Sequence, residues 1–214
     1  WQNAGTVALQ VYFASFLDGE DYKRAIGPDG LAKTYRELFG DPWAGNTTVL
    51  PGSLVQPEFI LPFKQGQTWS LTGGPHTAWG SLRPWAAIDF APPMVTQGCG
   101  ETSEFALAVS DGVIARVGDG IVVLDLDGDG DERTGWVVFY LHIAAKDRIA
   151  VGTVVQQGDP IGHPSCEGGT STGTHVHIAR KYNGEWISAV GVIPFSLEGW
   201  TPIEGSAAYQ GKLV

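Results

Sequence analysis

From about Pro57 onward the chain alternates short apolar runs with glycine and polar punctuation. The runs are "AAIDFAPP", "EFALAVSDGVIARVGDGIVVLDL", "GWVVFYLHIA", "GTVVQQGDPIGHP" and "GTHVHIARKYNGEWIS". Short segments rich in Val, Ile, Phe and Trp and bounded by turn formers predict β-strands joined as antiparallel hairpins and meanders. The acidic stretch "DLDGDGDERTG", between "IVVL" and "WVVFYLHI", predicts the turn of one such hairpin. Residues 1–60 have a different rhythm. Within "DYKRAIGPDGLAKTYRELFGDPW", Tyr35, Leu38 and Phe39 recur at helical spacing, and Gly40 and Pro42 supply a stop. The expected architecture is therefore mainly β, an antiparallel sheet core over residues 61–214, preceded by a short helical, loop-rich extension over 1–60. "NTTVLPGS" reads as the linker, with a glycosylation sequon at Asn46.

Composition sharpens this picture. The 214 residues are 43% hydrophobic and 17% charged, enough for a buried core rather than a disordered chain. Thirty glycines, thirteen prolines and eight tryptophans suit many tight turns between aromatic-rich strands. A formal charge of −10 argues against a nucleic-acid partner, which would require a basic face to displace counterions. No apolar run approaches the length of a membrane-spanning helix, and a first residue of Trp1 suggests a processed or trimmed chain. An acidic surface suits an exported protein. In that setting Cys99 and Cys166, both in Gly/Ser/Thr-rich loops, are expected to form one disulfide rather than two reactive thiols.

The candidate chemistry centres on "THVHI", where two of the five histidines, His175 and His177, stand one residue apart. On a strand, positions i and i+2 project to one side about 7 Å apart, so one imidazole can hold a metal while the other touches what binds beside it. His76 sits in the glycine-rich "LTGGPHTAWG", and Asp89 is a carboxylate inside the apolar "WAAIDFAPP", where an unpaired charge costs several kcal/mol. A metal would resolve that cost, and so would pairing with Arg83. His142, in "VVFYLHIA", reads alone as a hydrogen-bonded core histidine, and His163, beside Pro164, as a loop-packing residue. Tyr140, two positions before His142, is either a groove neighbour or a cross-strand aromatic.

Taken in order, "ALAVSDGVIARVG", "FYLHIA" and "VGTVVQQGDPIGHPS…STGTHVHIA" resemble the lysostaphin-type zinc endopeptidases, a family with staphylolysin and LytM-like branches. The resemblance runs from about Gly74 to Ile178. It implies an antiparallel β fold with a groove, zinc ligands His76, Asp89 and His177, and a catalytic pair of His142 and His175. It also implies a secreted or cell-envelope bacterial enzyme, a monomer, that cleaves peptidoglycan cross-links or Gly-rich peptides through a zinc-activated water. The staphylolysin branch points to Gly-Gly bonds. Two features depart from the pattern: "TAWGSLRPWAAI" separates His76 from Asp89 where many members have H-x-x-x-D, and the closing motif is "HVHI" rather than "HLHF". No His-Glu-x-x-His motif is present.

Competing readings remain open. Some LytM-like domains bind walls or activate other hydrolases without catalysis, and a tryptophan-lined sugar-binding β-sandwich is a third alternative. A second ion is conceivable at Asp125, Asp127 and Asp129, which with Asp131 occupy alternate positions like the start of a calcium loop with Gly130 at the sharp turn. The closing glutamate of such a loop is missing, since the twelfth position is Trp136, so an acidic hairpin turn without calcium is the first expectation. In latent relatives an extension residue fills the open metal position, a role Asn46 could take.

Overall fold

The computed structural model describes residues 52–80, 83–93 and 98–214. The helix expected around Tyr35, Leu38 and Phe39, and the Asn46 position, lie outside the described residues. Within the described residues the protein is built of strands and turns, with no helix long and apolar enough to cross a membrane. The strands are β1 (Ser70–His76), β2 (Ala87–Ala91), β3 (Ala106–Leu107), β4 (Gly112–Val117), β5 (Val122–Asp125) and β6 (Trp136–Leu141). They continue with β7 (Val154–Val155), β8 (Pro160–Gly162), β9 (Val176–Tyr182), β10 (Glu185–Trp186), β11 (Pro202–Glu204) and β12 (Gly211–Leu213). An eight-stranded antiparallel sheet runs β1-β2-β9-β6-β5-β4-β7, with β10 beside β9. Two small ribbons, β3-β8 and β11-β12, pack around it.

Strand alternation assigns each central residue to a face. Ile88 and Phe90 of β2, Val138 and Tyr140 of β6, and Val176 and Ile178 of β9 enter the main core, with Phe59, Phe63 and Phe195. The intervening Val137, Phe139 and Leu141 of β6 are also buried, but beneath Trp79 and Trp186 on the opposite face. This is why "WVVFYL" is a continuous apolar run rather than an alternating one: β6 is covered on both sides. Each large apolar side chain so buried contributes about 1.5–3 kcal/mol. Asp89 and His177 belong to the second face, in phase with Ala87 and Ala179.

The expected β5–β6 hairpin is present, with Val122 opposite Tyr140 and Asp125 opposite Val137. Asp125 closes β5 fully buried. Its Oδ2 accepts the Gly130 N–H at 2.8 Å, while its Oδ1 is buried without a hydrogen-bond partner. Burial, and after it repulsion from Asp127 and Asp129, push this carboxyl up to about 6 against the Gly130 hydrogen bond.

Tyr140 resolves as the packed aromatic and not a groove residue. It is fully buried in the main core, and its hydroxyl accepts the Val109 N–H at 2.8 Å. Two-residue spacing does not carry it to the side of His142, because β6 ends at Leu141 and His142 turns away with φ 65°. His163 packs in a loop as expected, with its ring on Phe105 at 3.9 Å and its Nδ1–H donated to the Glu104 carbonyl at 2.8 Å.

Candidate metal centre

The register of two ladders builds the centre. Asp89 on β2 lies directly opposite His177 on β9, and Leu141, the last residue of β6, also pairs with His177. His76 is the last residue of β1, on the far side of β2. The strands therefore deliver His76, Asp89 and His177 to one buried point, at 1%, 5% and 5% exposure. His76 Nε2 lies 3.0 Å from His177 Nδ1 and 3.3 Å from Asp89 Oδ1, and His177 Nδ1 lies 3.1 Å from the same oxygen.

The outer nitrogens of these rings fix what the inner ones are. His76 donates Nδ1–H to the Gly74 carbonyl at 2.8 Å, and His177 donates Nε2–H to the Ala78 carbonyl at 3.0 Å. A carbonyl can only accept, so in the neutral rings His76 Nε2 and His177 Nδ1 are both lone pairs. Two lone pairs and a carboxylate oxygen thus converge without a proton to share unless one ring is charged. Burial lowers the His177 pKa, working against the raising effect of Asp89, which disfavours that charge. Burial would raise the Asp89 carboxyl, but His177 and His76 outweigh it and hold it well below the ordinary range. Two neutral imidazoles and one carboxylate form a nitrogen and oxygen donor set that fits zinc, with their outer atoms already held by backbone carbonyls.

The other two histidines reach the same space from loops. His175 precedes β9, and its Nδ1 faces the Gly173 carbonyl at 2.7 Å while Nε2 points to Asp89 Oδ2 at 3.7 Å. His142 donates Nδ1–H to the Glu167 carbonyl at 2.8 Å. The two rings lie 4.5 Å apart between centroids. Burial, and then the charge of His175, lower the His142 pKa to about 4, so it is a neutral base near pH 7. Its positive φ is a costly conformation for a residue with a Cβ, about 1 kcal/mol or more. Hydrogen bonds from Ser165 N–H and Ser165 Oγ to the His142 carbonyl hold it there.

All five residues singled out in the sequence border one cleft of about 510 Å³, along with Thr72, Thr170 and Gly173. A larger cavity, about 600 Å³, between the 54–60 segment and the 192–199 loop contains none of them. Arg83 is not the partner of Asp89: its guanidinium lies over the Trp85 ring at 3.8 Å and 3.8 Å from Glu204. The Cys99–Cys166 disulfide is present. It braces the loops around the pair, since Cys166 precedes Glu167 and Thr174 N–H bonds the Gly98 carbonyl at 3.0 Å.

One neighbour was not apparent in the sequence. Tyr209, from the β11–β12 turn, stacks on His76 with centroids 4.0 Å apart and planes 22° from parallel. The Gly74 N–H bonds its carbonyl at 2.8 Å. Tyr209 stands 133 positions after His76 in an unremarkable "AAYQG", so no local pattern announces it.

The described residues thus form an antiparallel β fold with a His/Asp/His donor set at the edge of a cleft. No family model matches the chain. Protease LasA from two strains of Pseudomonas aeruginosa is similar to it, at 27% identity for strain UCBPP-PA14 and 28% for strain PAO1, each over 180 residues and 75% of this chain. The chain spans about 40% of the length of those curated relatives. Its fold matches that of pseudoalterin, described as an M23 metalloprotease from the deep sea, with a TM-score of 0.61 and 24% identity over 75% of this chain and 92% of that one. The chain thus resembles, in sequence and in fold, metallopeptidases of the lysostaphin, or M23, type.

Proposed function

We propose that this protein is a zinc-dependent endopeptidase that hydrolyses peptide cross-links of bacterial peptidoglycan. The observation that carries the reading is the convergence of His76 Nε2, His177 Nδ1 and Asp89 Oδ1, with the outer nitrogen of each ring committed to a carbonyl. These three groups would hold the metal. Zinc, when bound there, supplies a Lewis acid that acidifies water and polarises a peptide carbonyl.

The chain's own residues supply the proton handling. With Nδ1–H fixed on the Glu167 carbonyl, His142 presents Nε2 as a base, and the Gly173 carbonyl leaves His175 the same free nitrogen. One ring takes the proton of the attacking water, and the imidazolium so formed is stabilised by the nearby Asp89 carboxylate. That imidazolium then returns the proton from its Nε2 to the leaving amine, and the other ring donates to the developing oxyanion when it is itself protonated at Nε2. The cleft walls are mostly small, with Thr72, Ala91, Ser171 and Gly173 among them, which suits a peptide with little side chain and supports Gly-Gly bonds as the substrate. The acidic composition and the disulfide support an exported or cell-envelope location. The proposal takes the working unit to be a monomer, with residues 61–214 as the peptidase domain and 1–60 as an extension.

The test measures zinc content and hydrolysis of pentaglycine and of purified peptidoglycan for the wild type, His177→Ala and His175→Ala. His177→Ala is expected to lose both zinc and activity. His175→Ala is expected to keep one zinc per chain while kcat falls by about 10²–10⁴. A zinc-loaded wild type that cleaves neither substrate would overturn the reading in favour of a wall-binding module.

A further inference from the structure

The β5–β6 turn holds a second cluster that the peptidase reading leaves unused. A carboxylate oxygen from each of Asp125, Asp127 and Asp129 lies within 4.8 Å of the others. Acidic turns are common on protein surfaces, but this one has an inner wall. Asp125 is fully buried, and its Oδ1 meets no hydrogen-bond donor while Oδ2 is taken by Gly130 N–H. A buried carboxylate oxygen without a partner carries an uncompensated desolvation cost, which a bound cation would relieve.

The rest of the turn is arranged around it. Gly130, with φ 78°, allows the sharp reversal that aims its N–H at Asp125. A Cβ on Gly135 would collide with the carboxylate of Asp127, so the glycine leaves the space in which that side chain lies against the loop. Asp129 is held by the Asp131 N–H at 2.7 Å and the Thr134 hydroxyl at 2.8 Å. The nearby cations are engaged elsewhere, Arg133 by Asp131 and both Arg116 and Lys181 by Glu132.

We propose that this turn binds one calcium ion through the carboxylates of Asp125, Asp127 and Asp129. An all-oxygen donor set selects a hard cation, and an irregular loop favours calcium, which accepts variable geometry, over magnesium, which demands a near-ideal octahedron. Backbone carbonyls and water complete the coordination. With no bidentate carboxylate at the twelfth position, the affinity falls in the weak range of extracellular modules, a Kd of about 0.1–1 mM. The site lies at the opposite end of β6 from His142, so its task is to lock the β5–β6 hairpin rather than to join the chemistry.

The test uses zinc-loaded protein and follows thermal unfolding with 10 mM CaCl₂, with MgCl₂ at the same ionic strength as control. Calcium is expected to raise Tm by about 3–8 °C, and magnesium by much less. Asp127→Asn, an exposed position, is expected to keep the fold and the zinc while losing most of the calcium shift. Asp125→Asn removes the buried charge, and is expected either to lose the shift in the same way or to fail to fold, in which case Asp127→Asn decides. A Tm unmoved by calcium, or moved equally in Asp127→Asn, would overturn the proposal.

Discussion

Gly73 stands across the β1–β2 ladder from Asp89, and a Cβ there would run into the Asp89 carboxylate. The carboxylate reaches the two imidazoles only because this position is bare. Gly73→Ala is expected to push Asp89 aside and weaken zinc affinity by about 10–100-fold, read by competition with a chelator, while circular dichroism stays that of the folded sheet. Side chains with a chemical signature were legible at this scale: the three histidines and one aspartate in "PHTAWG", "AAIDFA" and "THVHI", and His142 after "FYL", converge in space. The groups that aim them were not. Carbonyls of Gly74, Ala78, Gly173 and Glu167 carry no residue identity, and any amino acid offers the same acceptor. Tyr209 is invisible for a different reason, since only the docking of a remote hairpin brings it to His76.

At the scale of elements, period-two patterning marked the hairpins well, and it failed where a strand ended. Tyr140 and His142 share a phase in the sequence, but the chain leaves β6 between them. The second face of the sheet also carries a charge cluster that patterning cannot reveal. Glu132 accepts Arg116 Nε at 2.6 Å and lies 3.4 Å from Lys181 Nζ, with Lys181 itself buried. Burial would raise the Glu132 carboxyl, but the Arg116 hydrogen bond and the Lys181 charge overcome it and hold it below the ordinary value. Glu132→Gln leaves Lys181 without its counter-charge and is expected to destabilise by about 3 kcal/mol at pH 7, measured by urea unfolding. Because the folded carboxyl is the more acidic, its contribution is present above the unfolded value and lost as pH falls through the folded one. The gap between wild type and variant should therefore narrow as pH falls below the unfolded value and close below the folded one.

For the whole molecule, the disulfide is the longest covalent constraint, joining positions 67 residues apart. In the chain-entropy model a loop of that length contributes about 4 kcal/mol. Cys99→Ser/Cys166→Ser is expected to lower the unfolding midpoint accordingly, and to reduce activity more than zinc content, because the bond braces the loops of His142 and His175 rather than the strands that carry the three inner groups. The mainly β class was legible in turn-forming composition and strand-length apolar runs. The order of strands was not, because β9, late in the chain, enters between β2 and β6.

That insertion has a consequence for synthesis. Asp89 and Leu141 are both neighbours of His177, yet neither strand can pair across the gap until β9 has been made. A chain emerging from the ribosome passes through a long interval in which β1, β2 and β4 to β6 exist but the donor set does not. Long-range pairing of this kind is slow to close. The three inner groups therefore meet only once nearly the whole sheet has been built.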